Sequence, residues 1–214
     1  MADAELALNL RIAERVKKMR RERSFSLDAL AGKSGVSRSM ISLVERGESS
    51  PTAAVLEKLA AALGVTLASL FDSPLATARS SSSAIARRDE QAQWRDPGSG
   101  YLRRNVSPAE IPQPMQIVEV CFPPRSRVAF ETGEREVRVF QQIWILDGAM
   151  EITIGKERHR LLKGDCLAMR LDRPMMFYNP TRKTARYAVV ILSEAPPSAR
   201  VRRRSGHGRN HEKK

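Results

Sequence analysis

The sequence predicts a multidomain α + β protein, with a compact unit of five short helices over residues 8–72 and a β-barrel over residues 94–194. Three observations carry that prediction. Helix caps and helical apolar stripes fill the first third of the chain and then stop. A polar, Ser-rich stretch, "SPLATARSSSSAIARRDEQAQ" (73–93), follows and has the composition of a linker. Beyond it, Val- and Ile-rich alternation broken by Pro-Pro, Asp-Gly and Gly-Lys is the pattern of short strands and turns. The last stretch, residues 195–214, has no periodicity and is expected to be a disordered basic tail.

Each helix is placed by its punctuation. Leu10, Ala13 and Val16 form a stripe that ends near Arg23. Ser26 caps "LDALAGKS", with Leu27, Leu30 and Ala31 inward, and Gly35 supplies the left-handed residue that ends it. Ser37 caps "RSMISLVER", with Met40, Ile41 and Val44 on one face and Gly47 at its end. Thr52 caps "AAVLEKLAAAL", which stops at Gly64, and Thr66 caps a last short helix, "LASLF".

Composition narrows the function classes. Hydrophobic residues make up 42% of the 214, enough for packed cores, yet no apolar run approaches the ~18–20 residues of a membrane span. The first residues carry acids early and no uncharged apolar core, so they do not read as a signal peptide. Two cysteines, Cys121 and Cys166, fit a reducing cytoplasm, and Cys166 is expected to be a buried, inert thiol. The net charge of +13 is uneven: residues 195–214 hold seven Lys+Arg against one acid, and residues 11–23 hold seven bases against two acids. The second cluster reads either as a polyanion-binding patch or as a solvated helix face.

A helix, a short Gly-containing turn and a second helix with small polar residues outward is a helix-turn-helix arrangement. Ala31 is small where two helices cross, Val36 plugs the angle between them, and Ser37, Arg38, Ser39 and Ser42 lie on the free face. A major groove admits one such helix. The stretch "FSLDALAGKSGVSRSMISLVERGESSPTAAVLEKLAAALGVTLASLF", with its "GVS", "ERG" and "ALGV", resembles the phage-repressor-like (lambda-repressor-like, xenobiotic-response-element type) helix-turn-helix family. The resemblance implies that Arg38, Ser39 and Ser42 read bases, with Ser37 beside them, and that Arg46 and Ser49 meet phosphates. It also implies a structural pair between Arg20 and Glu45.

In the second half the strand candidates are "IVEVCF", "RVAF", "VRVFQQIWIL", "MEITIG", "RHRLL", "DCLAM", "MMFYN" and "RYAVVIL", with Asp147-Gly148 and Gly155-Lys156 as hairpin turns. "WILDGAMEITIG…HRLLKGDCLAMRLDRPMMFYNP" resembles a cupin, a small jelly-roll β-barrel. Gly148, Gly164 and Asn179 fit that family's motifs. Its metal-binding positions do not: Met175 stands in a histidine place, Gln141 in the glutamate place, and the two upstream histidines fall at Arg135 and Val137 or at Glu134 and Glu136. Thioether and amide are poor ligands for the metals such barrels hold, so no metal and no cofactor is expected. Of the three histidines, His159 reads as a surface or edge residue and His207 and His211 lie in the tail. Arg135, Val137, Gln141, Ile143 and Met175 are the candidate effector pocket, although Met175 reads equally as core packing. By alternation Phe140, Trp144 and Leu146 point away, toward another layer or a partner subunit.

Together the halves resemble a one-component transcription regulator. The resemblance implies a cytoplasmic, non-enzymatic homodimer that binds an inverted-repeat DNA operator, often as a repressor, under control of a small-molecule effector, with the linker as a place for coupling. Two alternatives stand beside it: an iron-dependent epoxidase of the same architecture, which needs the missing ligands, and a DNA binder whose barrel is purely structural.

Overall fold

The computed structural model describes residues 2–71, 84–108, 114–131 and 137–194, with side chains from Ala7 onward. Residues 73–83 of the expected linker, Arg135, Glu134 and Glu136, and the expected tail lie outside the described residues.

Four α-helices form the first unit: α1 (Ala2–Glu22), α2 (Leu27–Ser34), α3 (Arg38–Glu45) and α4 (Ala53–Ala62). The caps act as their chemistry dictates. Ser26, Ser37 and Thr52 accept hydrogen bonds from the amides of Ala29, Met40 and Val55 at 3.0, 3.2 and 3.4 Å. Gly35 sits at φ 66° and closes α2 by donating to the Ala31 carbonyl. The expected fifth helix is a single 3₁₀ turn, Ala68–Phe71. Its bonds run from Ser69 to Thr66 and from Leu70 to Leu67, three residues apart, because so short a piece closes more easily in the tighter form. Of the expected α1 stripe, Ala13 and Val16 are buried, but Leu10 is 46% exposed and lies against Gly47; Leu8, Ile12 and Met19 complete the buried face.

The second unit is an antiparallel β-sandwich. Its ten strands are β1 (Gln93–Arg95), β2 (Leu102–Asn105), β3 (Met115–Phe122), β4 (Arg127–Phe130), β5 (Arg138–Asp147), β6 (Ala149–Ile154), β7 (Glu157–Leu162), β8 (Cys166–Arg170), β9 (Met175–Tyr178) and β10 (Ala185–Glu194). One sheet runs β1-β2-β3-β10-β5-β8 and the other β4-β9-β6-β7. Val118, Val120, Ile143, Ile145, Val189 and Ile191 of the first face Met150, Ile152, Met175 and Phe177 of the second in one core. Gly155-Lys156 is a two-residue hairpin between β6 and β7, as expected. Asp147-Gly148 is not a hairpin: β5 and β6 belong to different sheets, and the chain turns a corner there. Gly148 is needed for two reasons. Its φ is 77°, and a Cβ would stand 3.1 Å from the Ala185 Cα. The hairpin β1-β2 precedes the expected strands; its strands, of three and four residues, are too short to show an alternating pattern in the sequence.

This short hairpin joins the two units. Asp96, 2% exposed, accepts a hydrogen bond from the Ala53 amide at the start of α4 (2.8 Å) and two from Ser99, amide and hydroxyl (2.7 and 2.6 Å). A carboxylate at a helix N-terminus satisfies an orphan donor and meets the favourable end of the dipole. Around it, Phe71 packs on Trp94 (5.4 Å between centroids), Trp94 on Tyr101 (5.9 Å) and Tyr101 on Phe122 (5.6 Å), carrying one core across both units. The Thr66 hydroxyl bonds Gln116 at 3.0 Å, and Lys58 pairs with Glu131 at 2.6 Å.

Asp96→Ala leaves the Ala53 amide buried without its acceptor, so stability should fall by about 2–3 kcal/mol. Asp96→Asn, which keeps an acceptor oxygen, should cost less. Urea unfolding of the three proteins measures both differences.

Candidate functional site

The first candidate surface is α3. Ile41 and Val44 are buried under it, which leaves Ser37, Arg38 and Ser39 exposed and Ser42 half-buried. Ser37 also caps the helix, and its hydroxyl lies 3.2 Å from that of Ser39. Arg38 pairs with Asp28 of α2 at 3.3 Å, with both side chains more than 60% exposed. Such a pair contributes at most ~1 kcal/mol, so Arg38 can exchange it for another acceptor at small cost. Arg46 donates to the Ser42 hydroxyl and, at 2.8 Å, to Glu48, whose carboxylate raises the guanidinium pKa further while its own is lowered. Ser49 is half-buried, with its hydroxyl 3.8 Å from the Met40 sulfur.

The orientation of α3 is held from behind. Arg20 of α1 grips Glu45 in a two-point contact, Nε to Oε1 at 2.6 Å and the second nitrogen to Oε2 at 2.7 Å. A further Arg20 nitrogen donates to the Phe25 carbonyl at 2.8 Å. The side chains are 13% and 6% exposed, and the hydrogen bonds to Glu45 raise the Arg20 pKa despite its burial. The basic run on α1 is partly consumed in this way. Arg15 donates to the Ser69 carbonyl and Arg23 to that of Met19, so these bases serve packing and helix termination.

The second candidate is a cavity on the seam between the units. Its empty space, counted into open solvent, is about 600 Å³. Gln141 and Met175 line it. Ile143 is fully buried in the sandwich core and Val137 packs against that core; neither lines the cavity. Sequence reasoning missed the polar wall: Tyr101, Arg103 and Tyr187 from the sandwich, and Glu57 and Thr66 from the helical unit. One signal was present for Glu57, a charged residue inside the apolar stripe Ala53, Leu56, Ala60 of α4. Burial pushes both phenols well above the ordinary tyrosine range, so they are neutral O–H donors.

The cavity residues do not fit a metal. Gln141 and Met175 offer an amide and a thioether, and His159, on strand β7 with Glu157 at 3.8 Å, does not line the space. Among the described residues no three His, Cys, Asp or Glu side chains gather closely enough to hold an ion. Cys166 is exposed, not buried, because it lies on the outward face of edge strand β8 opposite Trp144.

Residues 16–70 match the family model HTH_3, helix-turn-helix. The chain is 25% identical over 178 residues, 82% of its length and 91% of the relative, to the HTH-type transcriptional regulator SutR of Escherichia coli (strain K12). Over 62 residues, 28% of the chain and 56% of the relative, it is 40% identical to the HTH-type transcriptional regulator SinR of Bacillus subtilis (strain 168). The fold is that of an HTH_3 family transcriptional regulator from Vibrio cholerae, with a TM-score of 0.69 at 24% identity over 88% of this chain and 98% of the other. No described helix is long and apolar enough to cross a membrane.

Glu45→Ala leaves Arg20 buried without its carboxylate. Removing one partner of a buried ion pair costs about 3 kcal/mol. The melting temperature should drop accordingly, and Arg20→Ala combined with Glu45→Ala should cost less than the sum of the two single changes. Additive losses in that double-mutant cycle would show that the two side chains act independently.

Proposed function

We propose that this helix-turn-helix regulator of the HTH_3 family, with its C-terminal cupin-like domain, is a homodimer that reads an inverted-repeat DNA operator in the cytoplasm and answers to a small molecule. The observation that carries the reading is the exposed α3 face, fixed at a set angle by the buried Arg20–Glu45 pair. Arg38, Ser39 and Ser42 are the base readers, Ser37 lies at the entry to the groove, and Arg46 and Ser49 are the phosphate contacts. A surface pair such as Arg38–Asp28 keeps the arginine extended and gives it up readily.

The dimer is supported by the outer face of the six-stranded sheet. Trp144 is 52% exposed, with Met115 and Leu192 also bare, and the cross-strand register sets Phe140 beside Leu192 and Leu192 beside Met115. An apolar patch of this kind on a sheet face marks a protein contact. Two copies joined there would present two α3 helices to half-sites one turn of DNA, ~34 Å, apart. The effector reading rests on the cavity, apolar with a few convergent polar groups and with no metal-ligand set.

Operator duplexes selected from a random pool serve as the probe. Arg38→Ala should weaken binding to the selected duplex by roughly 1–3 kcal/mol while leaving affinity for random duplex unchanged. An unaltered ratio of the two affinities removes Arg38 from the readers. Trp144→Glu should convert the dimer to a monomer in sedimentation at unchanged melting behaviour of the single chain; a dimer that persists places the contact elsewhere.

A further inference from the structure

We infer that the seam cavity takes a small uncharged aromatic molecule that carries a single amide or hydroxyl group. The inference deepens the proposed effector reading and rests on it. Its starting point is the apolar part of the wall. Aromatic residues make up only 5% of the chain, yet five of them line this one space: Tyr101, Phe122, Phe130, Phe177 and Tyr187. They form a continuous run. Tyr101 stacks on Phe122 at 5.6 Å between centroids, and Phe122 lies 6.4 Å from Tyr187. Tyr187 stacks on Phe177 at 6.3 Å, and Phe177 meets Phe130 edge-on at 5.7 Å. Rings attract one another in stacked and edge-to-face arrangements at such separations. A planar guest extends the run, whereas an aliphatic one gains only from the area it buries. Met175, on the same wall, adds a thioether that packs well at ring edges and adapts to the outline of a guest.

The charges on the wall are already engaged. Arg103 donates to the Tyr101 oxygen and lies over the Phe71 ring at 5.4 Å, and Glu57 likewise has its partner within the protein. An ionised guest would leave water with no uncommitted counter-charge to receive it, and an unpaired charge in a buried space is costly. Burial keeps the Tyr101 and Tyr187 phenols neutral as well. The wall therefore selects against carboxylates, phosphates and ammonium ions, but not against polarity as such. Gln141 is half-buried and lines the same space, and among the described residues its side-chain amide has no hydrogen-bond partner. It offers donors and an acceptor side by side, which an amide or a hydroxyl satisfies and a hydrocarbon does not.

Leu67 of the helical unit and Phe177 of the sandwich both line the space, so a bound molecule touches both units. It alters operator affinity to the extent that DNA prefers one seating of the helical unit.

The test is calorimetric titration of the full chain with a matched set of compounds. Phenylacetamide carries both the ring and the amide. Phenylacetate and 2-phenylethylamine put a charge in place of the amide, 4-methylpentanamide puts a branched aliphatic body in place of the ring, and toluene supplies the ring alone. Phenylacetamide should bind one per chain, with the others weaker by about tenfold or more. Gln141→Leu should weaken phenylacetamide about tenfold and cancel its lead over toluene, while leaving the melting temperature of the free protein intact. Phe177→Leu should narrow the lead of phenylacetamide over 4-methylpentanamide, a change of preference that mere loosening of the fold would not produce. The inference is overturned if phenylacetate, 2-phenylethylamine or 4-methylpentanamide binds as tightly as phenylacetamide. It is equally overturned if phenylacetamide, indole-3-carboxamide and 2-quinolinone all fail to bind. Operator binding, followed by fluorescence anisotropy on the same samples, is a separate readout. A charged compound that binds and shifts operator affinity leaves the effector reading standing and removes the uncharged aromatic class. Phenylacetamide that binds with operator affinity unchanged upholds the class and removes the effector reading.

Discussion

The buried carboxylate of Asp96 is the contact on which the relation between the two units depends. It lies on a hairpin of the sandwich, yet it completes the N-terminus of α4, a helix of the other unit. Thr52 caps the same helix through the Val55 amide, so two neighbouring donors of one helix end are satisfied from two domains. The Ser99 bonds hold Asp96 in place, and the line of rings from Phe71 to Phe122 excludes water around it. In such surroundings a lost acceptor is not replaced by solvent, which makes the contact specific as well as stabilising. The helical unit is thereby seated on the sandwich in one orientation, rather than tethered by the chain alone.

Two arginine–carboxylate pairs show how burial assigns roles to the same chemistry. Arg20 and Glu45 are shielded, bonded at two points and supported by the Phe25 carbonyl, so they fix geometry. Arg38 and Asp28 are solvated, bonded at one point and screened, so they fix little. The first pair sets the angle of α3, and the second leaves the Arg38 tip uncommitted.

Gln141 and Met175 line one cavity and offer it hydrogen bonds and a polarizable surface; an amide and a thioether do not suit the ions that imidazole and carboxylate hold. The space extends toward α4, whose Glu57 and Thr66 close part of its wall. A cavity that belongs to one domain can report only on that domain. One walled by two connects its contents to their docking.

Much was decided locally and could be read from residue order. Ser26, Ser37, Thr52 and Gly35 end or begin helices through bonds to amides or carbonyls three or four residues away, and the Arg20–Glu45 pair followed from a family resemblance. The strands that carry enough β-branched and alternating residues, from β3 to β10, were equally apparent. Contacts between distant segments were not. The corner at Gly148 looks like a hairpin until Ala185 is seen to crowd it, and β1-β2 is too short to announce itself by periodicity. The exposure of Cys166 depends on β8 being an edge strand, a property of sheet order and not of any local pattern. Gln141 and Met175 could be named from a motif, but Tyr101, Arg103 and Glu57 could not, because they reach the cavity from a different hairpin and a different domain. Local bonds determine elements; only packing across tens of residues determines which side chains share a space.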